Sequence, residues 1–477
     1  MRGYYTADEV RTAEAGLFDE VADGVPMRRA AYGLATVVAA ELRAATGGVA
    51  GRSVTLLVGS GDNGGDALWA GSMLRRRGVA VRAVLLDPDR AHVKGLAAFR
   101  KSGGRIETDI GTPDVVIDGI VGISGSGPLR PAAARLVETI AAPIVAADLP
   151  SGVDANTGAV DGPAVTATVT VAFGALKPVH ALAAARCGRI ELIPIGLRLP
   201  DARLQALEPA EVGALWPVPG PFDDKYSQGV VGIRAGSATY PGAAVLCTGA
   251  AVAATSGMVR YVGSATDQVL AHCPEVVAAQ TIRDAGRVQS WVVGPGGGTD
   301  EAALQALQDI LATDLPVVVD ADALTLVAAD PDLVRNRSAP TVLTPHAGEF
   351  ARLTGSPIGL DRLGAVRDLA AKWGVTVLLK GRSTLVAGSG RTLVNDAGGS
   401  WAATAGAGDV LSGIVGALLA SGLDADRSAA AAARVHALAA NLAATRSGNV
   451  GAPISASPLL AQVGAAIRVL RGQSLSP

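Results

Sequence analysis

The sequence predicts an α/β protein of two domains, the first a doubly wound parallel sheet. Three observations carry this. The chain has 477 residues, too many for one ordinary hydrophobic core. Short β-branched runs alternate with amphipathic helical stretches, as expected of strands joined by crossover helices. The alternation breaks once, where Pro209, Pro217, Pro219 and Pro221 crowd together, and then resumes. The domains are accordingly 1–205 and 222–477, with 206–221 as a linker.

Taken in order, Thr6 and Glu9 have capping-box spacing and start a helix near the N-terminus. That start reads as part of the folded protein, with no signal peptide before it. Strands of the first domain are expected at "SVTLLV" (53–58), "VAVRAVLL" (79–86), "DVVIDGI" (114–120), "PIVAADL" (143–149) and "TATVTVAF" (166–173). Ligands of such sheets sit beyond the carboxyl ends of the strands. Three polar, glycine-rich loops fall there: "GSGDNGGD", "DGIVGISGSGP" and "DLPSGVD". In the second domain the strands are "GVVGIRAGS" (229–237), "QSWVVGPGGG" (289–298), "LPVVVDADAL" (315–324), "PTVLTPHAGEF" (340–350) and "VTVLLKG" (375–381), followed by "STLVAG" and "RTLVND". "TAGAGDVLSGIVGALLASG" then reads as a glycine loop feeding a helix, and the alanine-rich "SAAAAARVHALAANLAA", with Arg434 and His436, as a buried or half-buried one.

Composition narrows the function. Hydrophobic residues make up 49%, but no charge-free apolar run reaches membrane-spanning length. With 41 basic against 43 acidic residues and 3% aromatics, neither an electrostatic footprint nor a stacking platform for nucleic acid is present. Cys187, Cys247 and Cys273 are far apart, without metal-ligand spacing, as expected in a reducing compartment. A cytoplasmic protein with no membrane or nucleic-acid partner is the expectation.

Gly59-Ser60-Gly61-Asp62-Asn63-Gly64 matches G-x-G-x-x-G between a strand and a helix, the Rossmann-like dinucleotide signature. Two carboxylates, Asp62 and Asp66, stand where a pyrophosphate would settle, which opposes that reading. A tight turn without a ligand is the plainer alternative. Convergence of three loops adds Asn63, Asp66, Asp118, Asp148 and Ser151, oxygen-rich and suited to a hard cation and sugar hydroxyls. Asp118 and Asp148 are equally placed to cap the turns after their strands.

Together, "GSGDNGGD", "VVIDGIVGISGSGPLR" and "VAADLPSGVDANTG" resemble the NAD(P)HX epimerases, which repair hydrated nicotinamide dinucleotides. The resemblance covers about residues 1 to 200 and implies that the dinucleotide is a damaged substrate. It implies substrate contact by Asp62, Asn63, Gly64, Gly65 and Asp66 and by the loop Gly122, Ile123, Ser124, Gly125, Ser126, Gly127 and Pro128. It further implies K+ at Asn63, Asp118 and Ser151, with Asp148 contacting substrate as the acid/base residue. A carboxylate suits inversion at C6, whose hydroxyl adjoins a ring nitrogen, by general acid/base catalysis. The family usually has Asn where Asp62 stands.

Gly406-Ala407-Gly408-Asp409 opens a helix, so backbone amides face an anion with a carboxylate beside them. That arrangement suits phosphoryl transfer, Asp409 taking the proton of the attacking hydroxyl; the plainer alternative is an Asp capping its own helix. The feature resembles the ribokinase-like superfamily. "KYSQGVVGIRAGS", "VVGPGGGTD", "VVVDADAL", "LTPHAGEF", "LLKGRSTLV" and "TAGAGDVLSG" follow the order of its ADP- or ATP-dependent NAD(P)HX dehydratases, over about Phe222 to Arg471.

That resemblance implies Asp409 as substrate-contacting catalytic base, and Lys380, Gly381, Arg382, Ser383, Thr384 and Gly408 on the nucleotide. Gly257, Gly296 and His346 would touch the hydrated dinucleotide, and Glu349 would position Mg2+ through water. A lone His is often a satisfied structural residue, and Asp320 and Asp322 are placed to cap the next helix. Ala407 stands where the family often has Thr. The implied function is repair of NADHX and NADPHX by epimerisation and nucleotide-dependent dehydration, in a homo-oligomer. The alternatives are a ribokinase-like kinase for a small alcohol with a regulatory first domain, and a scaffold.

Overall fold

The computed structural model describes residues 1–125, 127–255, 257–388, 390–445 and 450–472. The chain forms two compact units, Gly3–Leu204 and Gln205–Pro477, the latter taking in Met1–Arg2.

In the first unit the capping box closes as its spacing predicts: Glu9 N donates to Thr6 Oγ1 at 3.3 Å and Thr6 N to the Glu9 carboxylate at 2.8 Å, starting helix Ala7–Glu20. The strands lie in the spatial order Arg105–Glu107, Ala80–Leu85, Ser53–Val58, Val115–Gly119, Ile144–Ala147, Val169–Phe173 and Arg189–Ile193. Every neighbouring pair is parallel. Side chains alternate between faces along each strand. Leu56, Val58 and Ile117 join one core with Leu34, Val38 and Leu42 of helix Val25–Thr46, while Leu57 and Val116 join another on the opposite face. This is the doubly wound sheet, and it brings the three glycine-rich loops to one edge.

In the second unit nine neighbouring strands of an 11-stranded sheet run Thr392–Asp396, Ser383–Ala387, Thr376–Leu379, Thr341–Leu343, Val317–Val319, Ser290–Val293, Val230–Arg234, Met258–Val262 and Val277–Ala279. The first two pairings are antiparallel and the rest parallel. Helix Ala407–Ala420 crosses Pro241–Ala254 so closely that a side chain at Gly413 would overlap the Cys247 carbonyl. Among the described residues, no helix is long and apolar enough to cross a membrane.

Two expectations are corrected. The 206–221 stretch is folded rather than a simple linker: Pro209–Leu215 is helical, and Leu207, Val212 and Trp216 are buried in the second unit's core. Proline at the first helical turn starts a helix instead of breaking one. Arg105–Glu107, Arg189–Ile193, Met258–Val262 and Val277–Ala279 were not expected as strands. Three form sheet edges and the fourth neighbours one; charged residues interrupt the apolar run in Arg105–Glu107, Arg189–Ile193 and Met258–Val262, and Val277–Ala279 is only three residues long.

Candidate active site

Strand Ser53–Val58 turns into helix Asp62–Arg76 through Gly59, Ser60 and Gly61. Glycine is required twice. A Cβ on Gly59 would overlap the Ile120 carbonyl, and Gly61 has φ of 111°. The turn therefore lets two strand-end loops meet, so the plainer reading of these glycines holds locally. Gly59→Ala is expected to destabilise the first unit by at least about 1–3 kcal/mol, as overpacking against backbone does; thermal unfolding of the purified variant measures it.

On that helix Asp62 is exposed, whereas Asn63 and Asp66 are buried. Asn63 Nδ2 donates to the Val121 and Ala147 carbonyls, each at 3.0 Å, tying the helix to the ends of two strands. Asp118 is fully buried, and its carboxylate accepts from Ser151 Oγ at 2.7 Å, Ser151 N at 2.9 Å and Ile120 N at 3.2 Å. Burial pushes its pKa up to about 6, against these hydrogen bonds. Among the described residues, no cationic side chain contributes to that balance. Asn63, Asp118 and Ser151 thus lie together: Ser151 bonds Asp118, and Asn63 and Ser151 both bond Val121. Asp118 does act as a strand-end acceptor, but toward the very residue expected to share a cation with it.

Asp148 ends strand Ile144–Ala147 with φ of 65°, one of two such non-glycine residues among those described. Its surroundings over-determine this uncommon conformation. Lys177, 1% exposed, donates its ammonium to Asp148 Oδ1, which also accepts from Phe173 N at 3.1 Å. His180 Nδ1 accepts from Lys177 N at 2.8 Å, so the ring's other nitrogen, Nε2, donates to the Asp148 carbonyl at 2.9 Å. Burial lowers the His180 pKa to about 4 and keeps the ring neutral. Sequence reasoning missed Lys177 and His180. The available signal was a lysine in the otherwise apolar "AFGALKPVHAL" directly after a strand. In the "GISGSGP" loop, Gly125 N donates to the Gly122 carbonyl at 2.9 Å and Arg11 reaches the Ile123 carbonyl at 3.1 Å. Ser124, Gly127 and Pro128 are exposed at the same edge, and Ser126 lies outside the described residues.

The second unit holds a cavity of about 610 Å³ whose lining includes Asp320, His346, Glu349, Lys380, Gly408, Asp409 and His436. Asp409 stands in the first turn of helix Ala407–Ala420, and Gly406 before it has φ of 82°. Burial, then Asp320, raise the Asp409 pKa to about 7, with Lys380 opposing and Asp322 and Glu349 adding to the rise. Asp320 is buried and accepts from Lys380 Nζ at 2.8 Å and from Ser412 Oγ at 2.7 Å. Burial disfavours the Lys380 ammonium, but Asp320 and Glu349 hold its pKa above the ordinary value. A Cβ on Gly408 would stand 3.4 Å from that ammonium, so the open backbone of the glycine faces positive charge. His436, another residue missed in the sequence, hydrogen-bonds through Nε2 with the Ala407 carbonyl at 2.8 Å and braces the turn from behind.

His346 serves both readings given to it. Its Nδ1 accepts from Gly348 N and Glu349 N at 3.0 and 3.2 Å, capping helix Ala347–Thr354, while the residue lines the cavity. Gly381, Arg382 and Thr384 line it too. Ser383 does not; it is buried in a strand, opposite Asp396. Asp322 Oδ2 accepts from Gly298 N at 2.9 Å, so its role is to fix the neighbouring loop. Gly296 lies in that loop, at the carboxyl edge, with φ of 58°. Gly257 stands apart from the cavity lining. It precedes strand Met258–Val262, at the amino edge of the sheet, where a Cβ would overlap the Gly229 carbonyl. Close backbone packing is reason enough for a glycine there.

A family model described as NAD(P)H-hydrate dehydratase matches residues 231–459, and one described as YjeF-related protein N-terminus matches residues 25–179. The chain is 62% identical to the bifunctional NAD(P)H-hydrate repair enzyme of Mycobacterium leprae, over 98% of this chain and 100% of that one. It is 39% identical to the protein of the same description from Corynebacterium glutamicum, over 88% of this chain and 87% of that one. Among solved structures, a ribokinase-like superfamily protein from Enterococcus faecalis matches with a TM-score of 0.51 at 23% identity, over 57% of this chain and 98% of that one; this supports the fold alone.

Proposed function

The chain belongs to the bifunctional NAD(P)H-hydrate repair enzymes, and on that premise we propose that its two units share one task. The first interconverts the R and S epimers of NADHX and NADPHX at C6. The second uses ADP or ATP to phosphorylate the C6 hydroxyl of the S epimer, after which loss of phosphate restores the reduced nicotinamide. What carries this reading is that Asp148 and Asp409 each stand at the carboxyl edge of a separate sheet, inside the motif clusters that define the two activities. Water adds to the ring without strict stereocontrol, whereas a dehydratase site fits one epimer, so two sites clear both.

In the second unit the roles follow from position. Asp409 takes the proton of the C6 hydroxyl, the amides at the start of helix Ala407–Ala420 receive phosphate oxygens, and Lys380 beside Gly408 balances the growing negative charge. The carboxylates of Asp320, Glu349 and Asp409 make the lining suited to a nucleotide carrying Mg2+, with Glu349 facing the ion through water. Bound Mg2+ would neutralise phosphate charge during transfer. In the first unit Asn63, Asp118 and Ser151 fit K+, because Asp118 is a buried carboxylate with no cationic side chain among the described residues to balance it. Bound K+ would supply that charge and fix the loops around the substrate.

A cytoplasmic location and a homo-oligomeric assembly belong to the same proposal. Purified protein given mixed R and S NADHX, Mg2+ and either nucleotide, in K+ or in Na+, tests it through recovery of NADH absorbance. Complete recovery, faster in K+, is expected. No recovery with either nucleotide would reject the dehydratase assignment.

A further inference from the structure

Two of the buried carboxylates of the first unit, Asp66 and Asp148, bear on which group gives a proton and which takes it. Asn63 and Asp66 are three residues apart on helix Asp62–Arg76 and so share a face. Asn63 is fixed at 3.0 Å to the carbonyl of Ala147, the residue before Asp148. Asp66 therefore faces the same strand end as Asp148. Their environments differ sharply. Asp148 Oδ1 accepts from the Lys177 ammonium and from Phe173 N. Asp66 is 7% exposed, and its Oδ1 is shut from solvent with no hydrogen-bond partner among the described residues. An ionised carboxylate left in that state is costly, whereas a neutral acid is tolerated.

Resting on the epimerase reading above, we propose that the two carboxylates work in opposite protonation states, Asp148 as base paired with the otherwise unassigned Lys177, and Asp66 as acid. Asp148 takes the proton of the C6 hydroxyl. The C6 carbonyl forms as the C6–N1 bond breaks, the bonding pair goes to N1, and N1 takes the proton of Asp66. The ring is then an open aldehyde, free to rotate about the C5–C6 bond. Closure reverses each step on the other face: N1 attacks the carbonyl carbon, Asp66 recovers its proton and the oxygen takes back the one on Asp148. No outside acid, base or reductant is needed. Carboxyl pairs whose environments push them apart divide acid and base work in this way.

The charges facing the pair support the division. Burial raises the Asp66 pKa well above the ordinary range, followed by Asp148, Asp62 and Glu14, with Lys177 alone opposing. Glu14, from helix Ala7–Glu20, is itself raised by burial and then by Asp148, with Lys177 and Arg11 lowering it and Asp62 raising it. His180, the remaining neighbour of Asp148, is neutral.

The test is the steady-state kinetics of epimerisation across pH for the wild type, Asp66→Asn, Lys177→Met and Lys177→Arg, with folding followed by thermal unfolding. The wild-type rate is expected to fall at alkaline pH as Asp66 loses its proton. Asp66→Asn, a neutral side chain replacing a neutral acid, is expected to fold, to lose about 10²-fold or more in kcat, as loss of a general acid does, with KM changed less than about threefold, and to lack the alkaline fall. Lys177→Met is expected to lower kcat, because Asp148 Oδ1 loses the ammonium that holds it, and Lys177→Arg to restore it in part. A wild type that epimerises beside an Asp66→Asn protein with kcat within about threefold, or that shows no alkaline fall, overturns this assignment alone. A wild type that does not epimerise at all overturns the epimerase reading and this assignment with it.

Discussion

An Asp409→Asn protein is expected to lose dehydration of the S epimer by about 10²–10⁴-fold, the usual worth of a positioned general base, while still epimerising. Asparagine keeps the shape at the helix start but cannot accept a proton, so nucleotide binding, measured by calorimetric titration, should survive. The wild type should show a matching pH dependence. Burial first, then Asp320, push the Asp409 pKa to about 7, with Lys380 pulling it down. Only the ionised form can take the hydroxyl proton, so the rate falls as pH drops through about 7 and levels off above it. A base titrating near working pH combines availability with proton affinity. Removing Lys380, as in Lys380→Met, should shift the limb upward while weakening nucleotide binding. Recovery of NADH absorbance, followed against pH for the three proteins, measures all of this. An Asp409→Asn protein with wild-type turnover would reject the assignment.

Much of this was legible in the sequence because parallel sheets have a strict logic. Central strands are buried on both faces and read as unbroken runs such as Ser53–Val58, and their carboxyl ends collect the ligand loops. Edge strands such as Arg105–Glu107 lack that run and escaped notice. The prolines of 206–221 read as a break because proline both ends and begins helices, and only the burial of Val212 and Trp216 decides between the two. A glycine's identity does not say whether backbone or ligand approaches it, and at Gly257 the Gly229 carbonyl does. Lys177 and His180 follow a different strand from Asp148, so their meeting depends on sheet order, which spacing along the chain does not give.

Asp148→Asn should divide the two activities in the opposite sense. Asparagine tolerates positive φ nearly as well as aspartate, so the φ of 65° is no obstacle. Its amide oxygen can still accept from Lys177 and Phe173 N, but the buried ammonium loses its counter-charge, and stability falls for that reason. Provided the fold persists, as thermal unfolding will show, epimerisation is expected to drop by about 10²–10⁴-fold, as for loss of a general base. Dehydration of the S epimer belongs to the other unit and should be unchanged. Given mixed epimers and nucleotide, the wild type recovers all the NADH in one phase. The variant should recover the S fraction at the wild-type rate and then stall, finishing only as fast as the R epimer converts unaided. The height of that first phase is set by the epimer ratio alone, so it separates a lost epimerase from a generally weakened enzyme. Full recovery at the wild-type rate would leave Asp148 without a catalytic role, and its buried ion pair as a device that only holds the strand end in place.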